Sequence, residues 1–372
     1  MRRQSCIASH QHEAVPPWTW IAPILAGLLL ILKYGGVVAA SASAVQVAAA
    51  ILIFGAVFAS VHHAEVMALR LGEPFGAILL AVSVTVIEVA LIISVEFAGG
   101  PGAETVARDT VFSAVMIVLN GLMGLGVVLG AGRHYEQEFQ LQGALAGLTV
   151  LGPLAVIAMV LPNFAVAAPG PYYSTIQLIY VGAVSLVLWG CFVFVQTVRH
   201  RDYFLDVLAN DDLAEQPPRQ PARVTAVSAI LLPVSLASVV LLGKILSYPV
   251  ERAIAAVGLP PAFVGVVIAA LVLMPEGLAS IRAALRNRLQ NALNLAGGSA
   301  IASIGLTIPS VALASLFGGP RLALGLSNEN MVLLLLTLFT STLTLGTGRT
   351  TVLQGAVHLV IFAVFLLFSA VP

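Results

Sequence analysis

The sequence has few charged residues and few cysteines. Only 9% of its 372 residues are Asp, Glu, Lys or Arg, against roughly 25% in an average soluble domain. So little charge cannot cover a surface that faces water, and this excludes a soluble enzyme. Lys+Arg and Asp+Glu both number 17, so the net charge is zero and no basic face indicates a nucleic-acid partner. The two cysteines, Cys6 and Cys191, lie too far apart in sequence to suggest a bridge.

What the chain does contain is apolar sequence. Hydrophobic residues make up 59% of it, and the mean hydropathy is +1.01. Its apolar runs are long enough to cross a hydrocarbon layer of about 30 Å, which takes roughly 20 helical residues, whereas the strands of a β-barrel would alternate apolar and polar residues. The sequence therefore predicts an all-α polytopic membrane protein with about eleven transmembrane helices. The predicted spans are 18–32, 36–60, 74–97, 106–131, 140–161, 173–197, 224–246, 260–281, 289–317, 329–345 and 350–371.

The first span has two interpretations. Arg2 and Arg3, an apolar stretch and a small-residue tract at 39–44 resemble a secretory signal with its cleavage site. Lys33-Tyr34 separates the apolar stretch from the small residues, which favours a retained span. With the N-terminus inside, 12 of the 17 Lys and Arg residues lie in inside loops. The positive-inside bias therefore predicts a cytoplasmic N-terminus and an outside C-terminus.

Two rare acidic residues at membrane depth, Glu88 and Glu276, indicate an internal repeat. Near them, Ser113-Ala114-Val115 matches Ser299-Ala300-Ile301 at an offset of 186 residues. Each half holds five spans, and because five is odd the second half enters the membrane from the opposite side, as in inverted-repeat transporters. The predicted organisation is a leader with an extra helix (1–35), a first five-helix repeat (36–198), a cytoplasmic linker loop (199–223) and a second five-helix repeat (224–372).

The two glutamates also predict the chemistry. A charged carboxylate at the bilayer centre costs roughly 2.5–3.5 kcal/mol on insertion scales, and both desolvation and a neighbouring carboxylate disfavour the ionised form. A pair of such groups, titrating together, holds two protons in one state and a cation in the other. We therefore expect Glu88 and Glu276 to bind cation and protons alternately and to be the metal ligands. Further oxygens expected at the cation/proton site belong to Thr85, Ser113, Asn120, Asn294, Ser299 and Ser303, although such residues also serve helix packing.

Other polar residues receive plainer interpretations. Pro275 disfavours a straight helix before Glu276. His62-His63 is interpreted as an interfacial pair. The acidic residues near span ends, interpreted as wetted interface groups, are Glu65, Glu73, Glu96, Glu104 and Asp109, and the arginines interpreted as an inside anchor are Arg282, Arg286 and Arg288.

Several segments resemble the ChaA-type calcium/proton antiporters of the cation/calcium exchanger superfamily. They are 72–76 (Gly-Glu-Pro-Phe-Gly), 86–89, 108–116, 275–276, 286–290, 294 and 298–309. The resemblance implies two repeats that each supply one cation-binding acidic residue, here Glu88 and Glu276, with Ser299 in the segment that follows. It also implies a bacterial inner-membrane protein that moves Ca²⁺, Na⁺ or K⁺ outward against inward H⁺. Thr85-Val86-Ile87 supplies fewer side-chain oxygens ahead of Glu88 than wider relatives have, which leaves monovalent exchange open.

The expected function is therefore secondary antiport, first of Ca²⁺ against H⁺ and alternatively of Na⁺ or K⁺ against H⁺. The expected partners are inorganic cations, protons and the lipid bilayer, with no cofactor and no nucleic acid, and the oligomeric state stays open. An intramembrane protease is disfavoured because the His-Glu-x-x-His motif is absent and no Asp lies at mid-membrane depth. A passive channel would show flux without dependence on a proton gradient.

Overall fold

The structure is a computed structural model of the whole chain, and it describes residues 16–39, 41–72, 74–100, 102–205, 221–319 and 321–372. Most of the predicted leader, positions 206–220 of the predicted linker, and Glu73 lie outside the described residues.

Helices make up nearly all of the described chain. They are α1 (Pro17–Tyr34), α2 (Ser43–Leu71), α3 (Phe75–Glu96), α4 (Val106–Met116), α5 (Met123–His134), α6 (Leu141–Ala155), α7 (Thr175–Phe194), α8 (Ala222–Ala256), α9 (Phe263–Leu285), α10 (Leu289–Ala302), α11 (Ile308–Leu316), α12 (Asn328–Leu345) and α13 (Val352–Ala370). Segments of wider π-helical winding lie at Ile117–Leu122, Val156–Val160, Val195–Arg199 and Ser303–Thr307, and 3₁₀ turns at Ala103–Thr105, Leu161–Phe164 and Arg201–Phe204.

In the described part of the chain, ten helical segments are long and apolar enough to cross a membrane. They coincide with ten of the eleven predicted spans, so the prediction of an all-α polytopic membrane protein is confirmed. The remaining predicted span, 329–345, corresponds to α12, whose first turn carries Asn328, Glu329 and Asn330 and whose apolar part is therefore shorter. Two helices run past their predicted ends, α2 to Leu71 and α8 to Ala256, because the helix continues through polar residues at which an apolar run stops.

The chain folds as two units, each assembled from two separate stretches of sequence. The first comprises the described residues of Met1–Ser83 and Glu215–Leu246, and the second those of Val84–Ala214 and Ser247–Pro372. The predicted repeats at 36–198 and 224–372 follow a different division, based on sequence similarity, and stay a prediction.

In the first unit, α1 packs along α2. His63 of α2 is fully buried, and its ring nitrogens lie 3.1 Å from Ser228 Oγ of α8 and 3.1 Å from the Thr19 carbonyl oxygen of α1. His62 beside it contacts the ring of Trp18. The interfacial interpretation is therefore wrong for His63, because the ring crosslinks three helices instead of facing water.

In the second unit, α4 packs on α9 and α5 packs on α13. The α4–α9 approach is so close that a Cβ atom on Gly265 would lie 2.6 Å from the backbone of Asp109 and Thr110. Small residues at such crossings are what membrane helices use to bring their backbones together. Gly124 and Gly355 likewise allow the backbones of α5 and α13 to approach closely. Both crossings therefore depend on glycine.

Short extended segments close this unit at two places. After α5, strand β1 (Gln137–Glu138) pairs antiparallel with β2 (Arg349–Thr350). After α11, an extended stretch donates backbone hydrogen bonds from Gly325 N to the Pro171 carbonyl and from Leu326 N to the Met159 carbonyl. Each segment thus joins the end of one span to a loop or helix of the other half of the sequence.

Two acidic residues are buried although their sequence positions indicated a wetted interface. Glu96 is 3% exposed and accepts a hydrogen bond from the Ala107 backbone N–H. Asp109 is 4% exposed and is paired with Arg108 at 2.8 Å and hydrogen-bonded by Thr105. The interface interpretation is wrong for both, because position near a span end does not show whether a neighbouring helix covers the side chain.

Candidate cation site

Glu88 lies in the second half of α3 and is 2% exposed. Its Oε2 atom accepts two hydrogen bonds, from Ser303 Oγ at 3.0 Å and from Thr307 Oγ1 at 2.9 Å. Its Oε1 atom is buried and has no hydrogen-bond partner among the described residues. One oxygen is therefore held by hydroxyl groups, while the other is available to a proton or a cation.

Both hydroxyl groups come from one π-helical segment, Ser303–Thr307. Their spacing of four residues places them on the same side of this wider turn, and both side chains are buried. π-Helical turns often occur at functional sites. Ser303 was predicted at the site, whereas Thr307 was missed as a partner of Glu88, although its position four residues after Ser303 was a signal.

Glu276 lies in α9 directly after Pro275 and is half-buried, with its Oε2 atom buried. Helix α9 runs continuously from Phe263 to Leu285 with Pro275 inside it. The residue after Glu276 packs on the π-helical segment Ile117–Leu122: a Cβ atom on Gly277 would lie 2.9 Å from Leu122 Cδ2. Each glutamate thus belongs to a helix that contacts a π-helical segment from the opposite half of the sequence.

Asn120, also predicted at the site, belongs to a separate buried network. Its Nδ2 donates to Thr337 Oγ1 at 2.9 Å, and its Oδ1 lies 3.0 Å from Nδ1 of His358. The other ring nitrogen, Nε2, lies 3.1 Å from Thr344 Oγ1. Because Oδ1 only accepts, the His358 proton lies on Nδ1 and Nε2 accepts from Thr344. His358, which is fully buried, was missed because a lone histidine in an apolar run carries no spacing signal.

The remaining predicted residues lie in different surroundings. Asn294 donates to the Phe204 carbonyl at 2.6 Å and accepts from Gln290 at 2.8 Å, so it anchors the segment after α7 and does not join the Glu88 hydrogen bonds. Ser113 lines a cavity of about 170 Å³ that also contains Arg108 and Asp109. Thr85 is buried one turn before Glu88, and Ser299 is half-buried one turn before Ser303.

The Glu88 carboxyl group and its two hydroxyl partners can bind either a proton or a cation. Among the described residues, no group of three or more His, Cys, Asp or Glu side chains could hold a metal ion. Hydroxyl groups either donate to a carboxylate or turn a lone pair toward a cation. Ser303 and Thr307 can therefore serve both a cation-free and a cation-bound Glu88.

Comparison with known proteins identifies a family and similar relatives. The model of the family described as "Sodium/calcium exchanger protein" matches residues 41–198 and 227–371. A putative ionic transporter, y4hA of Sinorhizobium fredii, is 55% identical over 363 residues, covering 96% of this chain and 97% of the relative. The sodium-potassium/proton antiporter ChaA of Escherichia coli is 36% identical over 349 residues, covering 93% of this chain and 94% of the relative.

The fold is also similar to solved structures. YfkE, described as a Ca²⁺/H⁺ antiporter, superposes with a TM-score of 0.71 at 16% identity, covering 95% of this chain and 100% of that chain. At this identity the likeness concerns the fold alone. The family match and the 36% identical relative together show that this chain belongs to the sodium/calcium exchanger family, whose members are secondary transporters and not enzymes.

Proposed function

We propose that the chain exchanges protons for cations at a site formed by Glu88 and Glu276, with Ca²⁺ as the first candidate cation. The single observation that carries the proposal is the buried Glu88 carboxyl group, with two hydroxyl donors on Oε2 and an unpartnered Oε1 among the described residues. A buried, ionised carboxylate is costly unless it is paired, protonated or bound to a cation. Oε1 is therefore the position at which a proton and a cation compete.

The competition makes transport obligatory exchange. When Oε1 of Glu88 carries a proton, Oε2 still accepts from Ser303 and Thr307, so the neutral form keeps its hydrogen bonds. When a cation replaces the proton, the hydroxyl groups turn and add their oxygens to those of Glu88 and Glu276. The empty dianion is too costly to move through a dry barrier. With two carboxyl groups, the simplest exchange is two H⁺ for one Ca²⁺.

Monovalent exchange at the same site is the second candidate, and one observation favours it. The relative that is 36% identical is named a sodium-potassium/proton antiporter. Glu88, Ser303 and Thr307 supply four oxygens, fewer than the 6–8 oxygen ligands that Ca²⁺ takes. Calcium binding therefore depends on the two oxygens of Glu276 and on water, whereas a monovalent ion makes a smaller demand.

The proposal includes an organisation and a location. The chain has two five-helix repeats of opposite orientation, at 36–198 and 224–372, and each repeat contains one of the two glutamates. It lies in a bacterial inner membrane with its N-terminus inside. Three correspondences support the repeats. Two of the four π-helical segments begin 186 residues apart, at positions 117 and 303, which is the offset that aligns Ser113 with Ser299. Each segment lies beside a glutamate-bearing helix of the opposite half, and each is followed by an extended stretch.

The test is proton movement in everted membrane vesicles after separate additions of Ca²⁺, Na⁺ and K⁺. We expect the wild-type chain to release protons on adding at least one of these ions, and E88Q to release none. Gln at this position still accepts from Ser303 and Thr307, so the fold is retained, but it cannot exchange a proton. The matched control is E104Q, because the Glu104 side chain is exposed and bonds only Tyr172 in the described chain. Unchanged proton movement in E88Q would contradict the proposal, and the ion that drives the wild-type response decides between the two candidates.

A further inference from the structure

An open cleft of about 510 Å³ lies where the last turns of α5 and α9 meet, and the site proposed above does not use it. It is lined by Arg133 and His134 from the end of α5 and by Arg282, Leu285 and Arg286 from the end of α9 and the following turn. We call these five residues the arginine cleft. No acidic side chain of the described chain lines it.

The three arginines of the arginine cleft lack protein counter-charges. Among the described residues, none of Arg133, Arg282 and Arg286 has an ion pair or a hydrogen bond from its side chain. Arg108 and Arg349, by contrast, have carboxylate partners. A single cation near a helix C-terminus is stabilised by about 0.3–1 kcal/mol through the helix dipole. That effect explains one arginine, whereas three guanidinium groups around one opening repel each other until an anion is bound.

The backbone that carries these arginines is fixed by hydrogen bonds. His134 Nε2 lies 3.1 Å from the Leu285 carbonyl oxygen, and Gln137 Nε2 donates to the Ala284 carbonyl at 2.8 Å and to Asn287 Oδ1 at 3.1 Å. These bonds satisfy the carbonyl groups at the end of α9 and tie them to the segment after α5. The cleft is therefore a fixed feature of the α5–α9 contact, since the two helix ends are held together by side chains other than its three arginines.

Exposed leucines stand one helical turn above the arginines. Leu129 precedes Arg133 by four residues on α5, and Leu278 precedes Arg282 by four residues on α9, with Arg286 four residues further along the same face. Leu129 is 38% exposed and Leu278 is 41% exposed. Both helices belong to candidate membrane spans that end at His134 and Leu285. The surface thus changes from apolar to cationic at the depth where lipid tails give way to headgroups.

We propose that the arginine cleft binds the phosphate headgroup of an anionic phospholipid, with the acyl chains lying along Leu129 and Leu278. The phosphodiester accepts hydrogen bonds from the guanidinium groups, which match phosphate oxygens in pairs. Basic pockets between membrane helices at the cytoplasmic surface have this affinity for anionic lipid. The leucines distinguish the lipid from free inorganic phosphate, which has no apolar part to cover them.

The experiment titrates the full-length chain, purified in a maltoside detergent, with dioleoylphosphatidylglycerol or dioleoylphosphatidylcholine and counts bound lipids by native mass spectrometry. We expect phosphatidylglycerol to bind more tightly than phosphatidylcholine, and R282Q/R286Q to weaken phosphatidylglycerol binding by about tenfold or more, at roughly 1 kcal/mol for each arginine. The matched control is R199Q/R201Q, which removes two exposed arginines from the same predicted side of the membrane and is expected to change binding by less than about twofold.

Three results would overturn the proposal: equal binding of the two lipids by the wild-type chain, equal weakening in both double variants, or displacement of the lipid by inorganic phosphate. The single variant R133Q provides a second test that perturbs the chain less, with an expected loss of about fivefold.

Discussion

The π-helical segments Ile117–Leu122 and Ser303–Thr307 have the same winding and the same place within their spans, but they differ in chemistry. The second presents two hydroxyl groups to Glu88. In the first, the positions at the same offset are Ile117 and Gly121, and its polar residue Asn120 is bonded to Thr337 and faces His358. Two segments with the same winding therefore have different surroundings: one donates hydrogen bonds to a carboxyl group, and the other belongs to a buried network of neutral side chains.

The largest change in transport is expected when the hydroxyl groups of the second segment are removed. The variant S303A/T307V deletes both donors to Glu88, and hydrogen bonds to a charged group contribute about 1.5–3 kcal/mol each. We expect the cation concentration that gives half-maximal proton movement in vesicles to rise by about tenfold or more. S310A is the control, because the Ser310 side chain lies in the same span but donates only to the Leu306 backbone carbonyl and not to Glu88. An equal shift in S310A would remove the special role of the pair.

In the first segment, N120A is expected to act on stability. The change leaves His358 Nδ1 and Thr337 without their buried partner, which lowers the free energy of unfolding by about 1–3 kcal/mol. Thermal melting of the purified chain in detergent measures this loss, and the vesicle assay is expected to show a smaller affinity change than S303A/T307V. A large loss of cation affinity at unchanged melting temperature would make Asn120 a cation ligand, as its sequence position first suggested.

A smaller effect is expected from G121A, whose position lies 186 residues before Thr307 in the sequence. An added Cβ atom would lie 3.2 Å from Cζ of Phe362, so the ring must shift slightly and we expect a loss of about 1 kcal/mol in the free energy of unfolding. G27A is the control, since no atom lies within 4 Å of a Cβ atom at Gly27. A stabilised G121A variant would show that this segment has room for a side chain, as the second segment does.

The smallest effect is expected beyond the first segment, where Arg349 pairs with Glu136 at 3.5 Å beside the β1–β2 pairing. Both side chains are more than half exposed, and exposed pairs contribute about 0–1 kcal/mol. The free energy of unfolding of R349Q should therefore lie within about 0.5 kcal/mol of that of the wild-type chain, at both low and high salt. A clear loss of stability that disappears in high salt would contradict this expectation.

Sequence patterns were sufficient for the spans and for part of the site. Continuous apolar runs predict membrane helices because every backbone group must be satisfied within the segment, and an acidic residue inside such a run, like Glu88, stands out by its cost. Ser303 was predicted because it lies four residues after Ser299, on the same helix face. The burial of Glu96 and Asp109 was not, because it depends on which helices pack together.

The other differences between the predicted and observed surroundings arise because tertiary packing determines the hydrogen-bond partner of each side chain. Asn294 lies in a polar stripe typical of a ligand face, yet its amide bonds the Phe204 carbonyl in the segment after α7. The link between Asn120 and His358 joins residues 238 positions apart, and no local pattern predicts it. The π-helical winding was also not predicted, since helical periodicity in these spans does not distinguish a wider turn.

Cation-driven proton movement by E276Q in everted vesicles tests whether Glu276 shares one exchange site with Glu88. Gln keeps the size and hydrogen-bonding capacity of the side chain but carries no exchangeable charge. With expression and melting temperature matched to the wild-type chain, we expect no proton release on adding Ca²⁺, Na⁺ or K⁺. Proton release at the wild-type rate would contradict a shared site.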